Sequence, residues 1–449
     1  EFFTEKAVLN YHPAIVQLTQ RLLEQWRHHI NVKKDETHIE LCQSFNALFL
    51  DIVTQITVGQ SVGALDSQAD GFLESLTYIL KASTQPQHQF ISWWRFLPLP
   101  QNHRLSQALK QVDDFLEQLI TQHQNTKAIT KATEEPGQVT ILDKLLQNAT
   151  ETGATETGAI ETSATETSAI SSDIDTSKNP LTHAEIKDNL LAIIGNGYET
   201  VATTLTMTLQ ALAQHPSTLA LARQEAQEVI ERHHHQLTPE AVGELSYIES
   251  VLYESMRLYP AVAGLQRISR APDILEGWSI PAQQVVGITL QPLHLDPEYY
   301  GKSPETFRPE RYLTERLEAT LATSCCPFKR LIQLKQPSSK NQAQQQPLTF
   351  GYGARQCLAK HLALYEMKVV LAMVLNDFYF ELTSDTPTEL ELGKFGLFIS
   401  AFPKTEIKMK VYPLPPNVKE EVDFSSLCYG LSSECEQNRN SPERALAGM

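Results

Sequence analysis

The feature that most constrains the fold is a succession of apolar residues at helical spacing, which runs through most of the first 258 positions. Ile15, Leu18 and Leu22, for example, recur every three or four residues and predict an amphipathic helix over 13–28. The same pattern predicts further helices at 40–60, 70–82, 105–123, 182–214, 217–232, 245–258 and 358–376. Most of the chain is therefore expected to be helical.

Beyond Pro260 the pattern changes to short apolar runs that Gly and Pro interrupt. Such runs predict β-hairpins at 273–280 and 285–290, and later strands at 378–383 and 405–412. Together with the helices, they predict a mainly α fold with a minor β component (α+β).

Three segments lack either periodicity. Residues 151–170 repeat the five-residue units ETGAT, ETGAI, ETSAT and ETSAI, a period that fits neither helix nor strand. Residues 329–347 are rich in Lys, Gln and Ser, and the chain after Pro415 is similarly polar. We predict disordered insertions at about 148–178 and 329–347, and a disordered tail at 416–449.

Composition excludes some function classes. The chain has 37 Lys and Arg against 53 Asp and Glu, so its net charge of -16 disfavours general nucleic-acid binding. Six cysteines in 449 residues, with no zinc-finger spacing, favour a reducing compartment, and we expect a cytoplasmic protein. No apolar run reaches the ~20 residues that span a bilayer. The chain begins at Glu1 rather than Met, which leaves membrane association open.

The segment from Phe350 to Cys357 carries the first chemical signal. Its glycines, Gly351 and Gly353, allow a tight turn whose backbone can approach a flat ligand. Arg355 is placed to pair with a carboxylate of that ligand. Cys357 comes just before a predicted helix, and helix N-termini favour a thiolate, the ligand of haem-thiolate iron. The alternative is a buried cysteine after a glycine turn, and the segment alone leaves both open.

A second signal is Glu254-Ser-Met-Arg257, in which the two charged residues share one helical face. The apolar and aromatic neighbours of this segment predict that the pair is buried. A buried ion pair needs further partners, and Arg311, in Phe307-Arg-Pro-Glu-Arg311, is a candidate.

With these motifs the chain resembles the cytochrome P450 family over roughly residues 1–412. The residues that fit its cysteine-loop, E-x-x-R and P-E-R-F-like motifs are Phe350, Gly351, Gly353, Arg355, Cys357, Ala359, Glu254, Arg257 and Phe307–Arg311. The resemblance implies a P450 domain over 1–415, without the N-terminal sheet strands and first helices. It implies haem b (iron protoporphyrin IX), with Cys357 as the iron ligand. Arg267 would contact a haem propionate, although Arg270 is a close alternative.

The same resemblance assigns the oxygen-activating helix to Asn196-Gly-Tyr-Glu-Thr200. It implies that Glu199 and Thr200 relay protons to the dioxygen site and that Gly197 leaves room for oxygen. Asn196 stands where the family has a small Ala or Gly. Its amide would either hydrogen-bond oxygen or substrate, or crowd the distal side of the haem.

The function implied is a haem-thiolate monooxygenase that inserts one oxygen atom from dioxygen into a lipophilic organic substrate. Electrons would come from a separate ferredoxin or flavoprotein reductase. Two alternatives remain: a haem-thiolate isomerase or peroxygenase, which needs no redox partner, and a degenerate, non-catalytic haem-binding protein.

Overall fold

The computed structural model describes residues 2–32, 38–83, 97–132, 139–150, 181–313, 347–383 and 407–414, and the structural statements below concern these residues. The predicted tail lies outside them, as do nearly all residues of the two predicted insertions.

Helices form most of the described structure. They are α1 (Glu5–Val8), α2 (His12–Val32), α3 (Leu41–Val58), α4 (Asp70–Ser83), α5 (Pro100–Ala132), α6 (Ile141–Thr150), α7 (His183–Gln214), α8 (Pro216–Arg232), α9 (Pro239–Glu244), α10 (Ser246–Leu258), α11 (Leu290–His294), α12 (Pro297–Tyr300) and α13 (Lys360–Asp377). Short 3-10 turns at Pro309–Tyr312, Leu348–Phe350 and Gly353–Arg355 connect the later elements.

The predicted helices are present, and the largest difference in length is at α5. The sequence predicts 105–123, whereas the helix runs from Pro100 to Ala132. Its buried apolar residues, from Ala108 to Ile120, occupy only the central turns. The outer turns are polar and carry no apolar periodicity, so the sequence pattern misses them.

Helix α7 forms the centre of the core and packs against α3, α8, α10 and α13. It starts at a capping box, in which the Thr182 N–H donates to Glu185 (2.8 Å) and the Glu185 N–H donates to the Thr182 hydroxyl (3.2 Å). From Tyr198 to Leu212 every residue of α7 is buried except Thr200. Over these four turns α7 is therefore surrounded by protein on all sides, except at Thr200, which is partly exposed.

The strands form three small antiparallel sheets. Strand β7 (Lys408–Pro413) lies between β1 (His38–Glu40) and β6 (Phe378–Leu382). The second sheet pairs β2 (Gly264–Ile268) with β5 (Val285–Thr289), and the third pairs β3 (Asp273–Leu275) with β4 (Trp278–Ile280). The fold is thus mainly α with a minor β component, as predicted.

One described helix is long and apolar enough to cross a bilayer by length and composition. This helix is α3, and 67% of it is buried inside the protein. Such burial is expected of a core helix in a globular protein.

Candidate active site

The cysteine segment (residues 348–357) is a compact loop between α12 and α13. Gly351 (φ 71°) and Gly353 (φ 74°) both adopt the left-handed conformation that glycine tolerates. The Gly351 N–H donates to the carbonyl of Leu348 (2.8 Å), and the Cys357 N–H donates to the carbonyl of Phe350 (2.7 Å). The second of these bonds closes the loop and fixes the backbone that carries the sulfur.

Cys357 lies slightly further from its helix than expected. Helix α13 begins at Lys360, with Ala359 as its N-cap, so the cysteine lies in the preceding turn. The residue is exposed, but protein surrounds its sulfur closely enough that desolvation raises the pKa of Cys357. The Ala359 N–H and the Lys360 charge lower this pKa, and desolvation outweighs them. The loop therefore supplies a hydrogen bond to the sulfur but does not by itself favour the thiolate, contrary to the sequence expectation. A coordinated cation removes the proton from such a thiol.

The other residues of this loop surround the cysteine without burying it. Phe350 is half-buried, and the Lys360 ammonium lies 5.9 Å from the centre of its ring. Arg355 is exposed. Tyr352, within the segment, and Leu358, directly after it, have 84% and 72% of their surface exposed. The loop thus presents one sulfur donor beside exposed aromatic and apolar side chains.

The predicted buried ion pair is present in α10. Glu254 and Arg257 are both 0% exposed, and the guanidinium donates from Nε and Nη2 to the two carboxylate oxygens (2.8 and 2.7 Å). Burial of two charges is costly unless their remaining groups are also hydrogen-bonded. This requirement is met from three sides: the Arg308 N–H donates to Glu254 Oε1 (2.8 Å), Arg311 Nε reaches the same oxygen (3.3 Å), and Arg257 Nη1 donates to the carbonyl of His294 (2.7 Å).

Arg311 is held in place by backbone carbonyls. Its Nη2 donates to the carbonyl of Ser303 (2.7 Å), and its Nη1 donates to that of Tyr300. Tyr300 also places its ring 4.9 Å from the Arg257 guanidinium. The pair and Arg311 therefore join α10, α12 and the chain that follows α12 into one rigid unit.

His294 is a member of this unit that the sequence analysis missed. It is 1% exposed, its Nδ1 lies 3.0 Å from the carbonyl oxygen of Arg257, and its Nε2 accepts from the Leu348 N–H (3.1 Å). A lone histidine between Leu293 and Leu295 signals burial, but nothing in the sequence indicates its two partners.

Arg267 lies in strand β2, which contacts the cysteine segment through Leu265. Side chains alternate along a strand, so Arg267 shares a face with Leu265. Leu265 Cδ1 lies 3.9 Å from where a Cβ on Gly351 would be. Arg270 lies beyond the end of β2. The Arg267 guanidinium donates to the carbonyl of Gln266 (2.7 Å), and both Arg267 and Arg270 stay candidates for the arginine that contacts a carboxylate of a bound ligand.

Asn196 and Thr200 lie one helical turn apart on the accessible face of α7. The Asn196 amide donates to the carbonyl of Ala192 (2.7 Å), and the Thr200 hydroxyl donates to the carbonyl of Asn196 (3.1 Å). Asn196 thus uses its donor within the helix and leaves its Oδ1 as an acceptor. Glu199 is only 3% exposed, so it is turned into the protein rather than towards this face.

Gly197 is a point of close packing between α7 and α3. A Cβ at this position would lie 2.7 Å from Cγ2 of Val53 in α3, closer than atoms of two side chains approach. Gly197 therefore allows α7 and α3 to pack closely, although the residue itself is partly exposed.

The residues around Cys357 fit a haem. The donor set is one sulfur with an N–H donor, which suits a thiolate on iron. A Cβ added at Gly353 would meet no atom within 4 Å, so the backbone there is open to a flat group. Exposed Leu358 and Tyr352 supply contact surface, and Arg267 supplies a cation for a carboxylate.

Comparison with known proteins identifies one family. The family model described as Cytochrome P450 matches residues 1–411. Cytochrome P450 3A9 of Rattus norvegicus is 26% identical over 400 residues, which cover 88% of this chain and 69% of the relative. Cytochrome P450 3A6 of Oryctolagus cuniculus is 26% identical over 417 residues, covering 91% and 71%. Cytochrome P450 3A56 of Fundulus heteroclitus is 26% identical over 388 residues, covering 85% and 66%. The chain thus spans about two thirds of the length of these relatives.

Proposed function

The chain belongs to the cytochrome P450 family of haem b monooxygenases, and from this premise we propose that it inserts one oxygen atom of dioxygen into a lipophilic organic substrate. We further propose that its electrons come from a separate ferredoxin or flavoprotein reductase. A cytoplasmic location, with membrane association left open, is also a proposal.

The position of Thr200 is the observation that best supports oxygen insertion as the reaction. In an otherwise buried stretch of α7, this hydroxyl alone reaches the accessible face. Its proton is donated to the carbonyl of Asn196 at 3.1 Å, so its oxygen remains free to accept a hydrogen bond from water or an oxygen ligand. Retention of Glu199 and Thr200 argues against an isomerase or peroxygenase.

Bound haem would supply the activation of dioxygen. The residues of this chain that would hold it are Cys357 as the thiolate ligand, Arg267 as a partner for a carboxylate, and Gly351 and Gly353, whose left-handed backbone leaves room for a flat group. Thr200, at the accessible face of α7, and the buried Glu199 would both take part in proton delivery.

The first test is spectroscopic and concerns the cofactor. The protein loaded with haem and reduced with dithionite under carbon monoxide should show the red-shifted Soret band of a thiolate-ligated haem. Absence of that band in the wild-type protein would remove the basis of the proposal.

The second test separates the reaction types. A panel of fatty acids, terpenoids and polyketides is first screened for Soret shifts, and a binder is then supplied with NADPH, a reductase and dioxygen. Thr200→Ala should lower product formation about tenfold or more while NADPH consumption continues. Thr204→Ala is the matched control, because Thr204 lies one turn further along α7, is buried, and donates to the carbonyl of Thr200 (2.8 Å).

Three outcomes would contradict the proposed reaction. Turnover with peroxide but not with NADPH and reductase would indicate a peroxygenase. Rearrangement of the substrate without oxygen uptake would indicate an isomerase. NADPH consumption without product in the wild-type protein would indicate a degenerate haem protein.

A further inference from the structure

His294 lies where three parts of the candidate site meet. It is the last residue of α11, it contacts Arg257 near the end of α10, and it contacts Leu348 at the start of the cysteine segment. At 1% exposure its ring is closed off from solvent. Both ring nitrogens face backbone groups, a carbonyl on one side and an N–H on the other.

These two contacts fix the protonation state of the ring. Nδ1 must carry a proton to donate to the carbonyl of Arg257, and Nε2 must lack one to accept from the Leu348 N–H. Only the neutral ring with its proton on Nδ1 meets both conditions. Burial agrees, because desolvation lowers the pKa of His294 to about 4, and the nearby Arg257 charge acts in the same direction.

The contact with Leu348 continues into the loop that carries the sulfur. The carbonyl of Leu348 accepts from the Gly351 N–H, and the carbonyl of Phe350 accepts from the Cys357 N–H. Beside it, the Thr349 hydroxyl donates to the carbonyl of Met256 (3.2 Å), also in α10. A continuous set of hydrogen bonds thus joins the buried Glu254–Arg257 pair to the backbone of Cys357, and His294 is the side chain in the middle of it.

We propose that His294 is a positioning residue for the thiolate ligand, which holds the start of the cysteine segment on α10 so that Cys357 reaches the iron. The inference rests on the proposed function, because it needs a haem-thiolate bond to act on. It predicts that the acceptor at Nε2 matters most, since without it the Leu348 N–H is left with no acceptor and the segment can shift.

Two substitutions test the roles of the two ring nitrogens separately. His294→Gln places an amide oxygen near the Nε2 position and keeps an acceptor for Leu348. His294→Asn keeps a donor near the Nδ1 position but does not reach Leu348. His215→Gln is the control, because the His215 ring bonds within its own helix region, to the carbonyl of Ala211 (2.7 Å).

The readout is the ferrous carbon-monoxide spectrum of the haem-loaded proteins, with far-UV circular dichroism to check the fold. In His294→Asn the ratio of haem without thiolate to haem with thiolate should rise roughly tenfold, as expected for one buried donor left without an acceptor. His294→Gln and His215→Gln should stay close to wild type. An equal thiolate fraction in the Asn and Gln variants overturns the proposal.

Amide hydrogen exchange on the wild-type protein gives a measurement that needs no variant to fold. The Leu348 amide should exchange at least about tenfold more slowly than that of Tyr352, an exposed residue in the same segment. Equal exchange rates would show that His294 does not hold the segment. A wild-type protein without a thiolate band but with a protected Leu348 amide would instead refute the proposed function and leave the hydrogen bond intact.

Discussion

Arg257 and His294 exchange two hydrogen bonds: the Arg257 guanidinium donates to the carbonyl of His294 (2.7 Å), and the His294 ring donates to the carbonyl of Arg257 (3.0 Å). Each residue therefore fixes the backbone of the other, although they are 37 positions apart in the chain. Because Arg257 also binds Glu254, the orientation of the His294 ring depends on the buried ion pair, and the cysteine segment depends on the ring.

Arg257→Lys should be strongly destabilising despite retaining the charge. An ammonium cannot bind both Glu254 oxygens and the carbonyl of His294 in the planar arrangement of the guanidinium. We expect a loss of about 3 kcal/mol or more in the free energy of unfolding, measured by urea denaturation, together with loss of haem on gel filtration. Arg308→Lys is the control, since only the backbone N–H of Arg308 contacts Glu254 and its side chain is exposed. Equal stability of the two variants would contradict this account of the pair.

His294 should make the protein less stable as the pH falls below neutrality. Its folded pKa of about 4 lies below the ordinary value of 6.5, so between these values the unfolded chain takes up the proton and the folded chain does not. The contribution of the neutral ring to the free energy of unfolding is complete above about pH 6.5 and is lost progressively down to about pH 4. The loss between pH 7 and pH 5 amounts to about 2 kcal/mol. In His294→Gln this part of the pH dependence of the unfolding free energy should disappear. A variant with the wild-type pH profile would show that the ring is not held neutral.

Gly197→Ala should disturb the packing between α7 and α3. The new methyl group would lie 2.7 Å from Val53 Cγ2, so one of the two helices or the valine side chain must move. Overpacking of this kind costs about 1–3 kcal/mol of stability. Val53→Ala removes the opposing methyl groups, so the double variant should lose less stability than the two single losses added together. Strict additivity, measured by thermal or urea unfolding, would place Gly197 away from Val53.

The sequence predicted much of this structure because its signals are local. The amphipathic helices and the hairpin at 273–280 follow from residues close together in the chain. The burial of Glu254 and Arg257, and the contact of Glu254 with Arg311, were also predicted, from apolar neighbours and from the cost of an unsatisfied charge.

The sequence failed where the partner is distant in the chain. The close approach of Gly197 to Val53, 144 positions earlier, was not predicted, because only the packing of α7 on α3 shows it. His294 was missed because its partners are two backbone groups, which carry no sequence signature. The expected preference of Cys357 for the thiolate was drawn from the helix N-terminus alone and left out the desolvation of its sulfur.

A buried network away from the candidate site should govern acid stability. The His123 ring, 4% exposed, lies between the carbonyl oxygen of Val58 and the Asp143 carboxylate, with a ring nitrogen 2.7 Å from each. Asp143 also binds the Lys127 ammonium (2.8 Å) and the Thr140 N–H (2.8 Å). Burial alone would raise the pKa of Asp143, but the hydrogen bonds from Lys127, Thr140 and His123 outweigh it and lower the pKa to about 2.

Asp143→Asn should therefore cost stability at neutral pH and little in strong acid. Because the folded pKa lies below the unfolded value of 3.8, the carboxylate stabilises the fold above about pH 4, and this contribution disappears as the pH falls towards 2. The difference in unfolding free energy between wild type and variant should be about 2 kcal/mol at pH 7 and should shrink steadily below pH 4. Asp113→Asn, which breaks an exposed pair with Lys187, is the control and should cost less than about 1 kcal/mol at any pH. A difference that stays constant down to pH 3 would show that Asp143 acts through packing rather than through its charge.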